Sequence, residues 1–163
     1  KYKEGEFDQV DRVLYDLKNN PASRRIMTNI YNFQDLHEMN LYPCAYSMTF
    51  NVSGNKLNAI LNQRSQDVLA ANNWNVVQYS ILVHMMAQVS GLIAGELVHV
   101  IADAHIYDRH VPIIEELIEQ KEHEAPSLTI DKSIDDFYKF TVDSFKLSDY
   151  EFNPFKIKVP IAV

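Results

Sequence analysis

From Val68 to Gly95 the chain carries no Lys, Arg, Asp or Glu, and no other feature restricts its folding so strongly. The length would suit a membrane span. Asn72, Asn73, Asn75, Gln78, His84 and Gln88 lie inside it, however, and such polar groups are costly in lipid. A buried helix preceded by a loop is the reading that fits. Asn75 to Val89 supplies it. Val76, Val77, Tyr79, Ile81, Leu82, Val83, Met85, Met86 and Val89 run nearly all round a helix, which places that helix at the centre of the molecule. Ser90-Gly91 ends it.

The other elements assemble around this one. Val10, Val13, Leu14 and Leu17, with Phe7, share a helical face, so a helix runs from Asp8 to Lys18, capped by Asp8 and stopped by Asn19-Asn20-Pro21. Ile26 to Tyr31 reads as a strand and Phe33 to Met39 as a short helical turn. After Pro43-Cys44, Tyr46, Met48, Phe50 and Val52 alternate with Ser47, Thr49 and Asn51. Ser53-Gly54-Asn55 turns the chain, and Lys56 to Gln63 returns with Leu57, Ala59 and Leu61 on one side. Glu96 to Tyr107 holds a strand. Pro112 to Glu122 forms a surface helix with Ile113, Ile114, Leu117 and Ile118 inward. Short strands follow at Leu128–Ile130 and Thr141–Leu147, and the apolar tail, Ile157 to Val163, docks. At 163 residues and 47% hydrophobic, the chain can bury roughly 70% of its unfolded surface. With no repeat and no linker, residues 1–163 form a single α+β (mixed α/β) domain: a mixed twisted sheet with antiparallel hairpins around the central helix.

Charge narrows the function. Residues 1–64 carry a balance of +1 and residues 65–163 one of −8, so a broad polyanion-binding surface is excluded while small anion sites in the first stretch are not. One cysteine rules out an intrachain disulfide and favours a reducing, cytoplasmic setting. No signal peptide is visible. The opening Lys1-Tyr2-Lys3 lacks an initiator Met, which predicts processing or an origin within a longer chain.

A lone cysteine is ordinarily a small buried hydrophobe. Cys44 differs because the hairpin turn lies midway between it and Arg64, so antiparallel pairing brings the two together. A guanidinium beside a thiol favours the thiolate, the form that attacks. Arg24 and Arg25 follow a turn and precede a strand. Adjacent arginines are usually a solvated loop, yet their forks suit a phosphate monoester. Asp103, His105 and His110 have metal-type donors but poor spacing, so polar contacts from His105 and Tyr107 to a ligand are preferred and no metal is expected. His84 reads as a hydrogen-bonded core residue. No G-x-S-x-G, P-loop or G-x-G-x-x-G is present.

These pieces carry a resemblance. Pro43-Cys44, Gln63-Arg64-Ser65-Gln66-Asp67-Val68, Asn75, Asp103-Ala104-His105-Ile106-Tyr107 and the Pro160-Ile161-Ala162-Val163 end are similar, in order and spacing, to thymidylate synthase, with Ser23-Arg24-Arg25 correctly upstream. The resemblance covers essentially the whole chain and is nearest the Bacillus-type A branch and its phage relatives. It implies reductive methylation of dUMP to dTMP with 5,10-methylenetetrahydrofolate as cosubstrate, releasing dihydrofolate, in a homodimer. By matching position, Cys44 is the nucleophile and Arg64 lies beside the sulfur. Arg64 and Ser65 hold the nucleotide phosphate, and Arg24 and Arg25 reach the partner subunit's nucleotide. Asn75 reads the uracil edge, His105 and Tyr107 the ribose hydroxyl, Asp67 the pterin, and the Val163 carboxylate closes the site. A soft uracil C6 suits a thiolate better than a hydroxyl.

Three departures stand against the family pattern. Ala45 follows the cysteine where most relatives have His. Ala71-Asn72-Asn73-Trp74 replaces the usual Gly-Leu-Pro-Phe. An N-terminal segment of the family, with another Arg, a Trp and a Glu, is absent from this chain, which alone is therefore expected to be incomplete for catalysis. Two other readings remain at this point: a dCMP hydroxymethylase-type enzyme, against which Asn75 argues, and a non-catalytic nucleotide-binding or dimerisation fragment. A neutral amide at Asn75 could flip to suit either base, so a neighbour must fix it; Gln78 or an ordered water is the candidate.

Overall fold

The computed structural model describes residues 8–160. The readings that involve Phe7 and Val163 lie outside them. Asp8 caps the first helix as expected, its side chain accepting from the Val10 amide at 2.7 Å, and α1 spans Gln9–Asn19. Val13 and Leu17 are buried on it, as is Asp16, whose carboxylate is paired with Arg12 at 2.7 Å.

Four strands make the main sheet: β1 (Met27–Asn29), β2 (Ala45–Ser53), β3 (Lys56–Gln63) and β5 (Ile93–Ile101), in the order β1-β2-β3-β5. The β2–β3 hairpin is antiparallel and turns where Ser53-Gly54-Asn55 predicts, Gly54 supplying a φ of 61°. The β3–β5 pairing is parallel. That connection needs a crossover, and α2 (Asn72–Val89) is that crossover. One face of the sheet is the core: Met48, Phe50, Leu57, Ala59 and Leu61 pack with Val13, Leu17, Val83, Met86 and Ala87. The mixed sheet, the hairpin and the helix laid across them match the expected architecture.

The sheet has one tight point. β5 carries one extra residue where Gly95 and Glu96 stand against Asn58 of β3, and the Asn58 side chain accepts from the Glu96 amide at 2.9 Å. A Cβ on Gly95 would run into that side chain and the Leu57 carbonyl. Gly95→Ala is expected to destabilise the fold by roughly 1–3 kcal/mol, as overpacking does. The check is a lowered urea midpoint with an unchanged slope.

Several expectations need correction. α2 begins at Asn72, not Asn75, and only its second half is enclosed. Val83, Met86, Ala87 and Val89 are buried, while Trp74 is 80% and Val77 56% exposed. Among the described residues, the side of the first two turns that carries Trp74 and Val77 is left open. The strand after Gly91 starts at Ile93 rather than Glu96. Gly91, at φ 71°, ends the helix and turns directly into β5. α3 is Val111–Ile118, with Pro112 in its first turn and Ile113 buried, but Ile118 faces out. The final strand pair is β7 (Ser127–Ile130) and β8 (Phe145–Ser148). Thr141–Ser144 goes instead into a 3-10 turn closed by a Thr141–Ser144 capping box. Of the tail, the Pro160 carbonyl bonds His110 Nε2 at 2.8 Å.

Candidate active site

The hairpin delivers Cys44 to Arg64. Ala45 pairs with Gln63, and one residue further out the Arg64 amide donates to the Cys44 carbonyl at 2.9 Å. The guanidinium folds back over the same corner. Its Nε donates to the Pro43 carbonyl at 3.0 Å and its Nη2 to the Tyr42 carbonyl at 2.7 Å, which holds Nη2 at 3.8 Å from Cys44 Sγ. The positive charge is thus held beside the sulfur by main-chain acceptors rather than left to a flexible side chain. Cys44 is partly exposed, so the sulfur is reachable.

Beyond Arg64 and Ser65 the chain makes a two-strand parallel step. β4 (Gln66–Asp67) pairs with β6 (Ala104–His105), setting Asp67 against His105. Asp67 Oδ1 accepts from the Leu69 and Ala70 amides at 3.1 Å each, which fixes the carboxylate. The strand expected within Glu96 to Tyr107 is two strands, β5 ending at Ile101 and β6 ending at His105. Tyr107 still meets the His105 ring edge-on at 5.1 Å and the His110 ring at 5.6 Å. His110, in the 3-10 turn Asp108–His110, is 1% exposed, and its Nδ1 lies 3.9 Å from Asp67. Among the described residues no three His, Cys, Asp or Glu side chains gather as a metal site.

Asn75 enters from the first turn of α2. Its Oδ1 accepts from Gln63 Nε2 at 3.2 Å, and the same nitrogen donates to the Ser65 carbonyl at 2.8 Å. The other end of Gln63, Oε1, meets His99 Nε2 at 2.9 Å. Burial pushes the His99 imidazole below its ordinary range, towards the neutral form. The sequence reading missed both Gln63 and His99. Its candidate to orient Asn75, Gln78, instead lines a separate cavity of about 460 Å³ with Asp8, Gln9, Thr28 and Met48. A polar Gln at a position that the alternation of β3 places on its buried face was the available signal; His99 lies diagonal to it on β5, opposite Leu61. His84 is exposed rather than a core residue; partial desolvation of its ring and nearby Lys132 push its pKa down.

Arg24 and Arg25 are not brought to Cys44 within this chain. Arg24 lies in a cleft with Ser23, Thr49, Phe50, Asn51 and Val52, seven residues along β2 from Cys44, or roughly 23 Å at about 3.3 Å per residue. Both arginines are exposed there. The gathered set is Cys44, Arg64, Ser65, Asp67, Asn75, His105 and Tyr107. It pairs a reachable thiol and a fixed cation with an amide, an imidazole and a phenol able to hydrogen-bond a polar planar ligand.

Comparison with known proteins gives that site a family. The family model described as "Thymidylate synthase" matches residues 1–163. A thymidylate synthase from Bacillus subtilis subsp. natto is 44% identical over 144 residues, covering 88% of this chain and 52% of that protein. One from Bacillus atrophaeus is 43% identical over the same share of this chain and 63% of its own length. The solved structure of thermostable thymidylate synthase A from Bacillus subtilis superposes with a TM-score of 0.92 at 41% identity, over 97% of this chain and 56% of that one. This chain belongs to the thymidylate synthase family. It spans between half and two thirds of the length of the curated relatives it matches.

Proposed function

We propose that residues 1–163 form the nucleotide-binding catalytic domain of a methyltransferase that converts dUMP to dTMP. The observation that carries this is the Cys44 sulfur 3.8 Å from a guanidinium held by two main-chain carbonyls. Cys44 forms the S–C6 bond to uracil, and the C5–C6 electron pair moves towards C5 and O4. Asn75 Nδ2 donates to O4, where that charge develops. Once C5 has bonded the one-carbon unit, loss of the C5 proton to water and hydride addition to that carbon would expel the thiolate, breaking the S–C6 bond and returning Cys44. Bound 5,10-methylenetetrahydrofolate supplies the one-carbon unit and the hydride, and departs as dihydrofolate. Asp67 suits it, being a partly exposed carboxylate locked by two amides and able to accept from pterin N–H groups. The Val163 carboxylate lies outside the described residues and takes its site-closing role from the family resemblance alone. Arg64, with Nε and Nη2 committed, offers Nη1 to the nucleotide phosphate beside Ser65. His105 and Tyr107 hold the ribose hydroxyl. A cytoplasmic setting keeps Cys44 reduced.

A homodimer completes the reading. Met27, Thr49, Ile60 and Val98 stand in one row across the sheet face opposite the core, and Met27, Ile60 and Val98 are each more than 40% exposed. An apolar four-strand face of this kind suits a second copy, and in that proposed dimer Arg24 and Arg25 act on the partner's phosphate. The complete polypeptide, given dUMP and methylenetetrahydrofolate, is expected to form dihydrofolate, seen as an ultraviolet absorbance rise. No rise on dUMP would overturn the proposal. Mixing Arg24→Ala with Cys44→Ala protein should restore about a quarter of the active sites, since half the dimers are mixed and each has one intact site. No recovery, with subunit exchange demonstrated, would mean that Arg24 serves its own subunit.

A further inference from the structure

We infer that His99, on β5 and outside the set above, is a positioning residue for base selection, acting on Asn75 through Gln63. The inference rests on the proposed nucleotide function and concerns how that site is held. Gln63 is 2% exposed, so every polar atom on it needs a partner. The Ser65 main-chain carbonyl can only accept, and it lies 2.8 Å from the Gln63 amide. The atom facing Ser65 must therefore be nitrogen. Its second hydrogen points to Asn75 at 3.2 Å, so the Asn75 atom there is the oxygen. The Gln63 oxygen is left facing His99 Nε2 at 2.9 Å and needs a donor, so His99 carries its proton on Nε2. One polarity runs through all three side chains: His99 N–H to Gln63 oxygen, Gln63 N–H to Asn75 oxygen, and Asn75 N–H outward to the ligand.

Reversing Asn75 alone would face its amino group with the Gln63 amino group. Reversing Gln63 would set its oxygen against the Ser65 carbonyl and its amino group against the His99 proton. His99 makes the second reversal unfavourable and satisfies the buried Gln63 oxygen in the first place. Remove that donor and the buried oxygen is orphaned, Gln63 is released to seek another partner, and Asn75 is free to present either edge. Ile101, Leu97 and Ala94 also face inward from β5, but none of them has a side chain that can donate.

The test compares His99→Leu with His99→Gln, whose amide nitrogen reaches where Nε2 stands. Dissociation constants for dUMP and dCMP are measured on the complete protein by calorimetry. His99→Leu should lower the dUMP preference about tenfold, and His99→Gln should recover it, with folding verified by circular dichroism. A merely structural role would weaken both nucleotides together and leave the ratio unmoved, and an unmoved ratio in folded His99→Leu overturns the inference. If wild type binds neither nucleotide, the functional proposal itself fails, a result separable from this one. Should His99→Leu not fold, nitrogen-15 NMR of wild type decides: a proton on Nε2 supports the relay, and a neutral ring protonated only on Nδ1 overturns it.

Discussion

Incubated with 5-fluoro-dUMP and methylenetetrahydrofolate, the complete protein should become covalently labelled on Cys44. The S–C6 bond and the C5–methylene bond form as they do with dUMP. Resolution then needs the C5 substituent to leave as a cation, which a proton can do and fluorine cannot. The labelled peptide is read by mass spectrometry, and an unmodified Cys44 peptide would count against the assignment. Cys44→Ala should lower turnover by at least about four orders of magnitude, in the range found when a covalent nucleophile is deleted. Nucleotide binding should change by less than about tenfold, because Arg64 is held by the Pro43 and Tyr42 carbonyls rather than by the sulfur. A comparable loss of binding would mean that Cys44 supports the pocket instead of attacking within it.

The pairing of Cys44 with Arg64 is legible in the amino-acid sequence because it depends on local chemistry. Alternation of period two fixes which residues of β2 and β3 share a face, and the Ser-Gly-Asn turn fixes the register. Together they carry Cys44 to within one residue of Arg64 at the far end of the hairpin, and a bulge on β2 between Ala45 and Ser47 makes the final match. Readings that rely on the chain covering itself fare less well. Apolar residues all round α2 imply burial, but they do not say by what, and Trp74 and Val77 stand open. Ile118 is the same case on a smaller scale. The start of β5 is misjudged from sequence because Glu96, the first charge after the apolar run, draws a boundary that Gly91 in fact sets. Gln63 and His99 escape notice because their partners sit 12 and 36 residues away in sequence, on a helix and on a parallel strand. Local periodicity carries no trace of a hydrogen bond spanning such elements. Arg24 and Arg25 are legible as candidate anion ligands, but within this chain they lie away from Cys44.

Exchanging Asn75 for Asp should redirect the site from uracil to cytosine. Uracil presents an acceptor at O4 and a donor at N3, and cytosine presents the opposite pair. With Gln63 Nε2 holding Oδ1 at 3.2 Å, Asn75 keeps its amino group outward to O4 and retains a lone pair on Oδ1 for N3–H. Cytosine would set its own amino group against Nδ2, leaving buried polar groups unpaired at roughly 1–3 kcal/mol each. The carboxylate introduced by Asn75→Asp would still accept from Gln63, so the scaffold is undisturbed and only the outward atom changes, from donor to acceptor. That acceptor suits the cytosine amino group and repels O4. The ratio of kcat/KM for dCMP over dUMP should therefore rise by one or more orders of magnitude, since about 1.4 kcal/mol is tenfold. The mutant serves the purpose better than Asn75→Ala, which would empty the position and weaken both bases. If the ratio is the same in Asn75→Asp as in wild type, the base is read elsewhere, and an amide held by Gln63 from below has no part in choosing it.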